Sequence, residues 1–147
     1  MAMKETPEQR SHTMRSVRSQ DTGPEMAVRR YLHAAGLRYR LHDRSLPGKP
    51  DIVFPSRRVI VFVHGCFWHQ HLGCPASARP ASNTEYWTRK LDRNIERDIR
   101  NRSELEAHGW SVFTVWECQI RHEDTLSQLV DCISSHSSAN SKGAQYS

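Results

Sequence analysis

The chain has 147 residues, a length typical of one domain, and no apolar run approaches the roughly 20 residues needed to span a bilayer. The N-terminal segment lacks the apolar stretch of a signal peptide, so a cytoplasmic protein is expected and a disulfide framework is not. The net charge of +5 and the pI near 9.3 favour an acidic partner, most commonly nucleic acid, although a basic protein without such a partner has the same composition.

The first two predicted helices differ in how much apolar surface they can bury. Thr, Pro and Gln at positions 6, 7 and 9 are typical of a helix start, but the segment that follows to about position 19 is polar and rich in arginine. We expect residues 1–20 to form a helical arm that is either solvated or ordered on a partner. A second helix is predicted from Thr22, with Val28 and Leu32 on a buried stripe and Gly36 at its end.

Three short strands are predicted after the second helix, over residues 38–42, 51–54 and 58–63. The apolar runs IVF and VIVFV in the last two are typical of central strands that are buried on both faces. A strand over residues 110–116 is predicted to follow a long intervening helix.

Two more helices complete the order. Thr84 is expected to cap the long helix, which runs to about position 108 with Ile99 on its apolar stripe and arginines on the opposite face. Thr125 is expected to cap the last helix, and the serine-rich residues 134–147 are predicted to be disordered. This order predicts one α/β domain over residues 21–133, with a central mixed β-sheet flanked by helices.

The segment HGCFWHQHLGC at residues 64–74 is dense in metal-binding side chains. Cys66, His71 and Cys74 have the spacing C-x4-H-x2-C, and Cys118 follows a predicted strand 44 residues later. Four nitrogen or sulfur ligands predict a closed, structural zinc site. The sequence does not distinguish His69 from His71 as the histidine ligand. The alternative to a metal site is a set of unrelated core cysteines and histidines. Cys132 lies on a helical stripe and is expected to be a buried, inert thiol.

A second group of residues has the chemistry of phosphodiester cleavage. Asp51 begins one predicted strand and His64 ends the next, so a hairpin would bring both to one edge of the sheet. A carboxylate and a main-chain carbonyl near Val63 are hard ligands that suit Mg2+, which stabilises charge on a scissile phosphate. His69 is the candidate general base and Asp98 the carboxylate that orients it. The alternative to these catalytic roles is that Asp51 is an ordinary turn residue and that Asp98 is an exposed helical residue in an ion pair.

Two adjacent aromatic residues, Phe67 and Trp68, lie inside the predicted zinc loop. Two large rings in sequence cannot readily point into one core, whereas apolar side chains inserted at a base step unstack and kink DNA. Such a wedge favours mismatched steps, which cost least to open. Trp87 lies on the stripe of the long helix and is by itself more typical of a core residue. The arginine face of that helix is suited to phosphate contacts.

Several segments together resemble the very-short-patch repair (Vsr) family of DNA mismatch endonucleases. They are MRSVRSQDTGPE at 14–25, KPDIVF at 49–54, VHGCFWH at 63–69, TEYW at 84–87, NIERD at 94–98 and WEC at 116–118. The resemblance extends over about residues 8–122. The combination of GCFWH with the later WEC is specific, whereas any one short segment is not.

The resemblance implies a restriction-endonuclease-like fold and an enzyme that nicks one DNA strand beside the thymine of a T:G mismatch, leaving a 5′-phosphate. Such mismatches arise by deamination of 5-methylcytosine. The implied partners are double-stranded DNA with a T:G mismatch and mismatch-repair proteins, with no membrane. A monomer that acts at the bacterial nucleoid is expected, and the arm over residues 1–20 would reach the DNA from the other groove.

The resemblance also implies a role for each site residue. Asp51 and the main-chain carbonyl of Val63 would hold the catalytic Mg2+. Glu25 would be an acidic residue near the waters of the metal, and His64 would contact water or phosphate. His69 would be the general base, and Asp98 the carboxylate that supports it. The structural zinc ligands would be Cys66, His71, Cys74 and Cys118. The DNA-intercalating residues would be Phe67, Trp68 and Trp87.

Two positions depart from the family pattern. Val63 stands where relatives can carry a polar residue, and two residues separate His71 from Cys74 where some members have one. Two other functions stay open from the sequence: a zinc-stapled DNA-binding module without catalysis, and a nicking endonuclease with relaxed mismatch specificity. The sequence does not give the base context of the mismatch.

Overall fold

The computed structural model describes residues 22–136 of the chain. The helices are α1 (Gly23–Ala34), α2 (Thr84–Ala107) and α3 (Glu123–Ser135), and the strands are β1 (Arg40–Leu41), β2 (Ile52–Phe54), β3 (Val59–His64) and β4 (Ser111–Trp116). The predicted arm over residues 1–20 and positions 137–147 of the predicted tail lie outside the described residues. Within the described part of the chain, no helix is both long and apolar enough to cross a membrane.

The four strands form one mixed sheet in the order β1-β2-β3-β4. β2 pairs antiparallel with β1 and with β3, and the register places Ile52 opposite Val61. β3 and β4 are parallel, with His64 opposite Trp116. The crossover between these two parallel strands contains the cysteine- and histidine-rich loop and α2. The predicted α/β class and mixed sheet are therefore confirmed.

The sheet separates two apolar clusters. One contains Leu32 of α1 and Ile133 of α3 with Ile52, Phe54 and neighbouring strand residues. The other contains Leu105 of α2 with Val53, Ile60 and further residues of the sheet. β2 is buried at all three positions because alternate side chains enter opposite clusters, as the continuous run IVF predicted.

Backbone chemistry explains where α1 and α2 end. Gly36 and Gly109 have φ values of 89° and 90°, a left-handed conformation that glycine adopts without steric cost. At each, the next residue donates its N–H to a carbonyl five residues back, Leu37 to Leu32 and Trp110 to Leu105. The predicted stop at Gly36 is thus confirmed. Thr22 caps the start of α1 by accepting from Glu25 N at 3.3 Å.

Several finer predictions were wrong. The cap of α2 is Asn83, whereas Thr84 is the first helical residue, and α3 begins at Glu123, before Thr125. Ile99 is 62% exposed, because a spacing of four residues advances around the helix, which puts Ile99 about 120° away from the face that carries Trp87 and Leu105. Cys132 is exposed. α3 reaches Ser135, so the first two residues of the predicted tail are helical.

Leu105 and Ile99 provide a matched test of the assigned packing. Leu105 is fully buried, so Leu105→Ala should lower the free energy of unfolding by about 2–5 kcal/mol through lost burial and a residual cavity. Ile99→Ala on the same helix should change it by less than about 0.5 kcal/mol. Urea unfolding of both variants measures this. Equal losses in the two would contradict the placement of α2.

Candidate active site and metal centre

Two groups of side chains face one open cleft at the end of the sheet. Its lining includes His42 and four of the five predicted catalytic residues, Asp51, His64, His69 and Asp98; the fifth, Glu25, lies behind it beside Asp51 and His42. Basic side chains contribute to the same lining: Lys49 from the turn between β1 and β2, and Arg97, Arg100 and Arg102 from α2. The cleft therefore combines acidic and imidazole groups with positive charge that suits a phosphate backbone.

The β2–β3 hairpin determines the position of Asp51. The register places the residues just before β2 beside the end of β3, and Asp51 Oδ2 accepts a hydrogen bond from Val63 N at 2.8 Å. The pKa of Asp51 is raised from near 3.8 to about 6. Burial is the largest cause and the negative charge of Glu25 adds to it, while the hydrogen bond from Val63 N–H acts in the opposite direction. A buried carboxyl with a second carboxylate beside it is a place where a cation would be favourable.

Glu25 in the first turn of α1 belongs to this first group. It is only 2% exposed, and its Oε2 lies 2.6 Å from His42 Nε2. One ligand atom from each of Glu25, His42 and Asp51 lies within 4.8 Å of the others, which is a spacing that can hold a metal ion. The structure brings Glu25 beside Asp51, and its expected role near the waters of a metal stays a prediction.

The second group is a pair of stacked histidines with a carboxylate. His64 and His69 are parallel within 5°, with ring centroids 3.7 Å apart. His69 Nδ1 lies 2.6 Å from Asp98 Oδ2. Because an ionised carboxylate only accepts hydrogen bonds, this contact favours the His69 tautomer that has its proton on Nδ1 and its lone pair on Nε2. This arrangement is suited to accepting a proton from water.

His64 has a different electrostatic character from His69. Burial lowers the pKa of His64 to about 3, and the neighbouring His69 contributes in the same direction. The ring is therefore neutral at physiological pH. Its buried Nδ1 has no hydrogen-bond partner among the described residues, which is a cost to the fold.

A third group lies on the outer side of the same loop. One ligand atom from each of Cys66, His71, Cys74 and Cys118 lies within 4.8 Å of the others, which shows that the four can hold a metal. His71 Nδ1 is 3.7 Å from Cys66 Sγ and 3.4 Å from Cys118 Sγ. The structure thus places His71 with the cysteines, while His69 faces Asp98. The alternative with His69 as the fourth ligand does not fit.

The three aromatic residues of the predicted wedge form one cluster. Phe67 contacts Trp68 and Trp87 with centroid separations of 5.1 and 5.5 Å, and Trp68 lies 6.0 Å from Trp87. Phe67 and Trp68 are half-buried, whereas Trp87 is only 2% exposed. Phe67 and Trp68 are therefore accessible in the free protein, and Trp87 would reach DNA only if this cluster opened.

Comparisons with known proteins agree with this geometry. The family model described as DNA mismatch endonuclease Vsr matches residues 3–74. The type II nicking enzyme V.XorIIP of Xanthomonas oryzae pv. oryzae is 52% identical over 115 residues, which cover 78% of this chain and 84% of that protein. The DNA mismatch endonuclease Vsr of Escherichia coli is 44% identical over 117 residues, covering 80% of this chain and 74% of that protein.

This chain belongs to the Vsr family. A third relative, the type II nicking enzyme V.NmeAIP of Neisseria meningitidis, is 44% identical over 129 residues, 85% of this chain and 91% of its own length. The chain is accordingly a DNA mismatch endonuclease, and the alternative of a non-catalytic binding module is excluded.

Two residues of this Vsr-family site were missed in the sequence. A lone histidine after a two-residue strand carries no motif, and His42 reaches Glu25 only because β1 pairs with β2. In the sequence, Trp116 was identified only as part of the family motif WEC. Its ring stacks on His71 at 4.2 Å and contacts the His64 ring edge-on at 5.2 Å, so it joins the third group to the second. The apolar run of β4, ending at W-E-C, was the available signal.

Asp51→Asn should stabilise the Vsr-family protein when no divalent ion is added. The folded state raises the pKa of this carboxyl to about 6. Its contribution to the free energy of unfolding is therefore fully present below about pH 4, where the carboxyl is protonated, and is lost as the pH rises through about 6. Asparagine keeps an acceptor for Val63 N without the charge. We expect a gain of about 1–2 kcal/mol at pH 7, shrinking toward pH 5.

Urea unfolding across pH 5–8 in buffer freed of divalent ions, without stripping the metal of the cysteine cluster, measures this difference. Added Mg2+ should then stabilise the unmodified protein and not the variant, because only a state that binds the ion gains stability. A variant less stable than the unmodified protein at pH 7 would show that Asp51 is not electrostatically disfavoured.

Proposed function

We propose that this chain nicks one strand of duplex DNA 5′ to the thymine of a T:G mismatch that arises from 5-methylcytosine deamination, and that it leaves a 5′-phosphate. The observation that carries the proposal is the His69–Asp98 pair across the cleft from Asp51, with the Phe67–Trp68 edge beside it. The names of the relatives, nicking enzymes and a mismatch endonuclease, support the same reaction class.

In the proposed reaction His69 Nε2 accepts a proton from the water that attacks the scissile phosphorus. Asp98 holds the ring through Nδ1 and stabilises the imidazolium that forms. His64, neutral in the folded protein, donates or accepts a hydrogen bond without adding charge. The P–O bond to the 3′ oxygen of the preceding nucleotide breaks, that oxygen takes a proton from solvent to become a 3′-hydroxyl, and the phosphate stays on the thymidine side.

We assign Mg2+ to Asp51 and the main-chain carbonyl of Val63, with Glu25 nearby. The raised pKa of the buried Asp51 carboxyl next to Glu25 is the observation that fits a cation here. When bound, Mg2+ supplies positive charge for the phosphate oxygens. Asp51, held by the Val63 N–H, orients its carboxylate toward the cleft.

We assign Zn2+ to Cys66, His71, Cys74 and Cys118. Zinc–sulfur bonds of about 2.3 Å and zinc–nitrogen bonds of about 2.0 Å at tetrahedral angles put sulfur and nitrogen about 3.5 Å apart. The two distances from His71 Nδ1, 3.4 and 3.7 Å, bracket that value. All four positions are filled by protein, so this ion would be structural.

The fold and partners follow from the same proposal. The mixed sheet with the site at its edge supports a restriction-endonuclease-like domain over residues 21–133, preceded by a DNA-contacting arm over 1–20 and followed by a tail. Phe67 and Trp68 would enter the stack beside the mismatch, followed by Trp87. We expect a monomer that acts in the bacterial cytoplasm, at the nucleoid, with mismatch-repair proteins as further partners.

A nicking assay over a panel of single mismatches with randomised flanks tests the substrate. With Mg2+ present, T:G duplexes should be nicked in the thymine strand at least 100-fold faster than matched duplexes. Asp51→Ala should abolish nicking, and Asp98→Asn should slow it by about 10²–10⁴ while leaving DNA affinity unchanged. Equal rates on every mismatch would favour the relaxed-specificity alternative, and full activity of Asp51→Ala would overturn the site.

Cys118→Ser tests the zinc assignment. Because zinc binding and folding are coupled, the variant should lose zinc and unfold at a markedly lower temperature. Cys132→Ser is the matched control, since Cys132 is exposed and outside the cluster. Zinc content by atomic emission and thermal unfolding of both variants provide the readout. An unchanged melting curve with zinc lost would contradict a structural role.

A further inference from the structure

His42 lies between the two carboxylates of the first group. Its main-chain N–H donates to the Asp51 carbonyl at 3.0 Å, which continues the pairing of β1 with β2 by one residue. At His42 the backbone is left-handed, with φ of 48°, a conformation uncommon for residues other than glycine. Such strain is often found where a side chain is held for function. Here the His42 side chain is held in contact with the Glu25 carboxylate.

The three side chains form a mixed donor set. One ligand atom each from Glu25, His42 and Asp51 lies within 4.8 Å of the others. Ligands at about 2.0–2.3 Å from one ion are themselves separated by at most about 4.6 Å, so small side-chain movements would close the set. Two carboxylates alone would suit Mg2+, whereas an imidazole favours divalent ions of the transition series.

We propose that His42 is a nitrogen ligand of the divalent ion at Asp51, so that this site binds a transition-metal ion such as Mn2+ more tightly than Mg2+. The inference rests on the proposed function, because it places the ion where that function requires it. The ion would bind the neutral His42 ring, which has its proton on Nδ1 and a lone pair on Nε2. Nε2 would then give up its hydrogen bond to Glu25 and bind the ion that both residues share.

The competing role for His42 is to orient Glu25 through the 2.6 Å hydrogen bond. Glu25 also has Arg29 Nη1 at 3.6 Å, so its carboxylate is held from its own helix as well. Glutamine at position 42 can donate a similar hydrogen bond to Glu25 but offers the ion no nitrogen lone pair. His42→Gln therefore separates the two roles.

The experiment uses the full chain with its zinc content verified, as the unmodified protein and as His42→Gln, His69→Gln and Asp51→Asn. Mn2+ and Mg2+ affinities are measured by calorimetry, and pulsed EPR of bound Mn2+ detects 14N coupling from a coordinated imidazole. We expect 14N modulation in the unmodified protein and in His69→Gln, and its loss in His42→Gln. His42→Gln should weaken Mn2+ binding at least tenfold and Mg2+ binding less than threefold.

Each other outcome overturns a stated part. Modulation that persists in His42→Gln with Mn2+ affinity unchanged would overturn the ligand role while leaving the Asp51 site in place. Modulation that disappears only in His69→Gln would identify a different histidine and likewise overturn it. Mn2+ and Mg2+ affinities unaffected by Asp51→Asn would show that the proposed catalytic ion binds elsewhere, which is a failure of the proposed function itself.

Discussion

The pairing of β3 with a strand on each side brings the cysteine cluster together and places Asp51 in the cleft. On its parallel side His64 is opposite Trp116, so the loop after β3 and the turn after β4 begin next to each other. Cys118 can therefore complete a cluster with Cys66, His71 and Cys74. On its antiparallel side, the hairpin brings Asp51 against Val63. The cysteine–histidine cluster and the position of Asp51 in the cleft thus both follow from the two registers of β3.

Ring contacts link the two sites across this junction. His71 stacks on Trp116, Trp116 contacts the edge of His64, and His64 stacks on His69. His69 in turn contacts Asp98 of α2. Packed rings have few alternative arrangements, so an ion that fixes His71 also restricts the orientation of the proposed base. The same loop presents Phe67 and Trp68, which are thereby held in a constant relation to the cleft.

The chemistry that suits catalysis is unfavourable for the fold alone. Burial and the neighbouring Glu25 raise the pKa of Asp51, and burial keeps His64 neutral without a partner for its Nδ1. Each feature costs stability in the free protein, and a cation beside Asp51 would offset the first of them. The apolar clusters on both faces of the sheet offset this cost.

Much of the fold and site could be predicted because their signals are local. The runs IVF and VIVFV indicated buried strands, Gly36 indicated a helix end, and the C-x4-H-x2-C spacing indicated a metal cluster. His42 could not be predicted, since its partners lie 17 residues before it and across a strand pair. Ile99 and Cys132 were misplaced because apolar periodicity does not fix the edge of the buried face, and each lies beside a line of buried residues that continues past it to Leu105 and Ile133.

The central claim is that the ion of the cysteine cluster braces the loop while a different divalent ion supports the chemistry. Nicking of a T:G duplex should be measured as Mg2+ is removed and restored, with zinc counted by atomic emission at each step. The account predicts that activity vanishes and returns with Mg2+ while zinc stays at about one ion per chain. Full-rate nicking by the zinc-loaded protein without another divalent ion, or by a folded zinc-free protein, would contradict it.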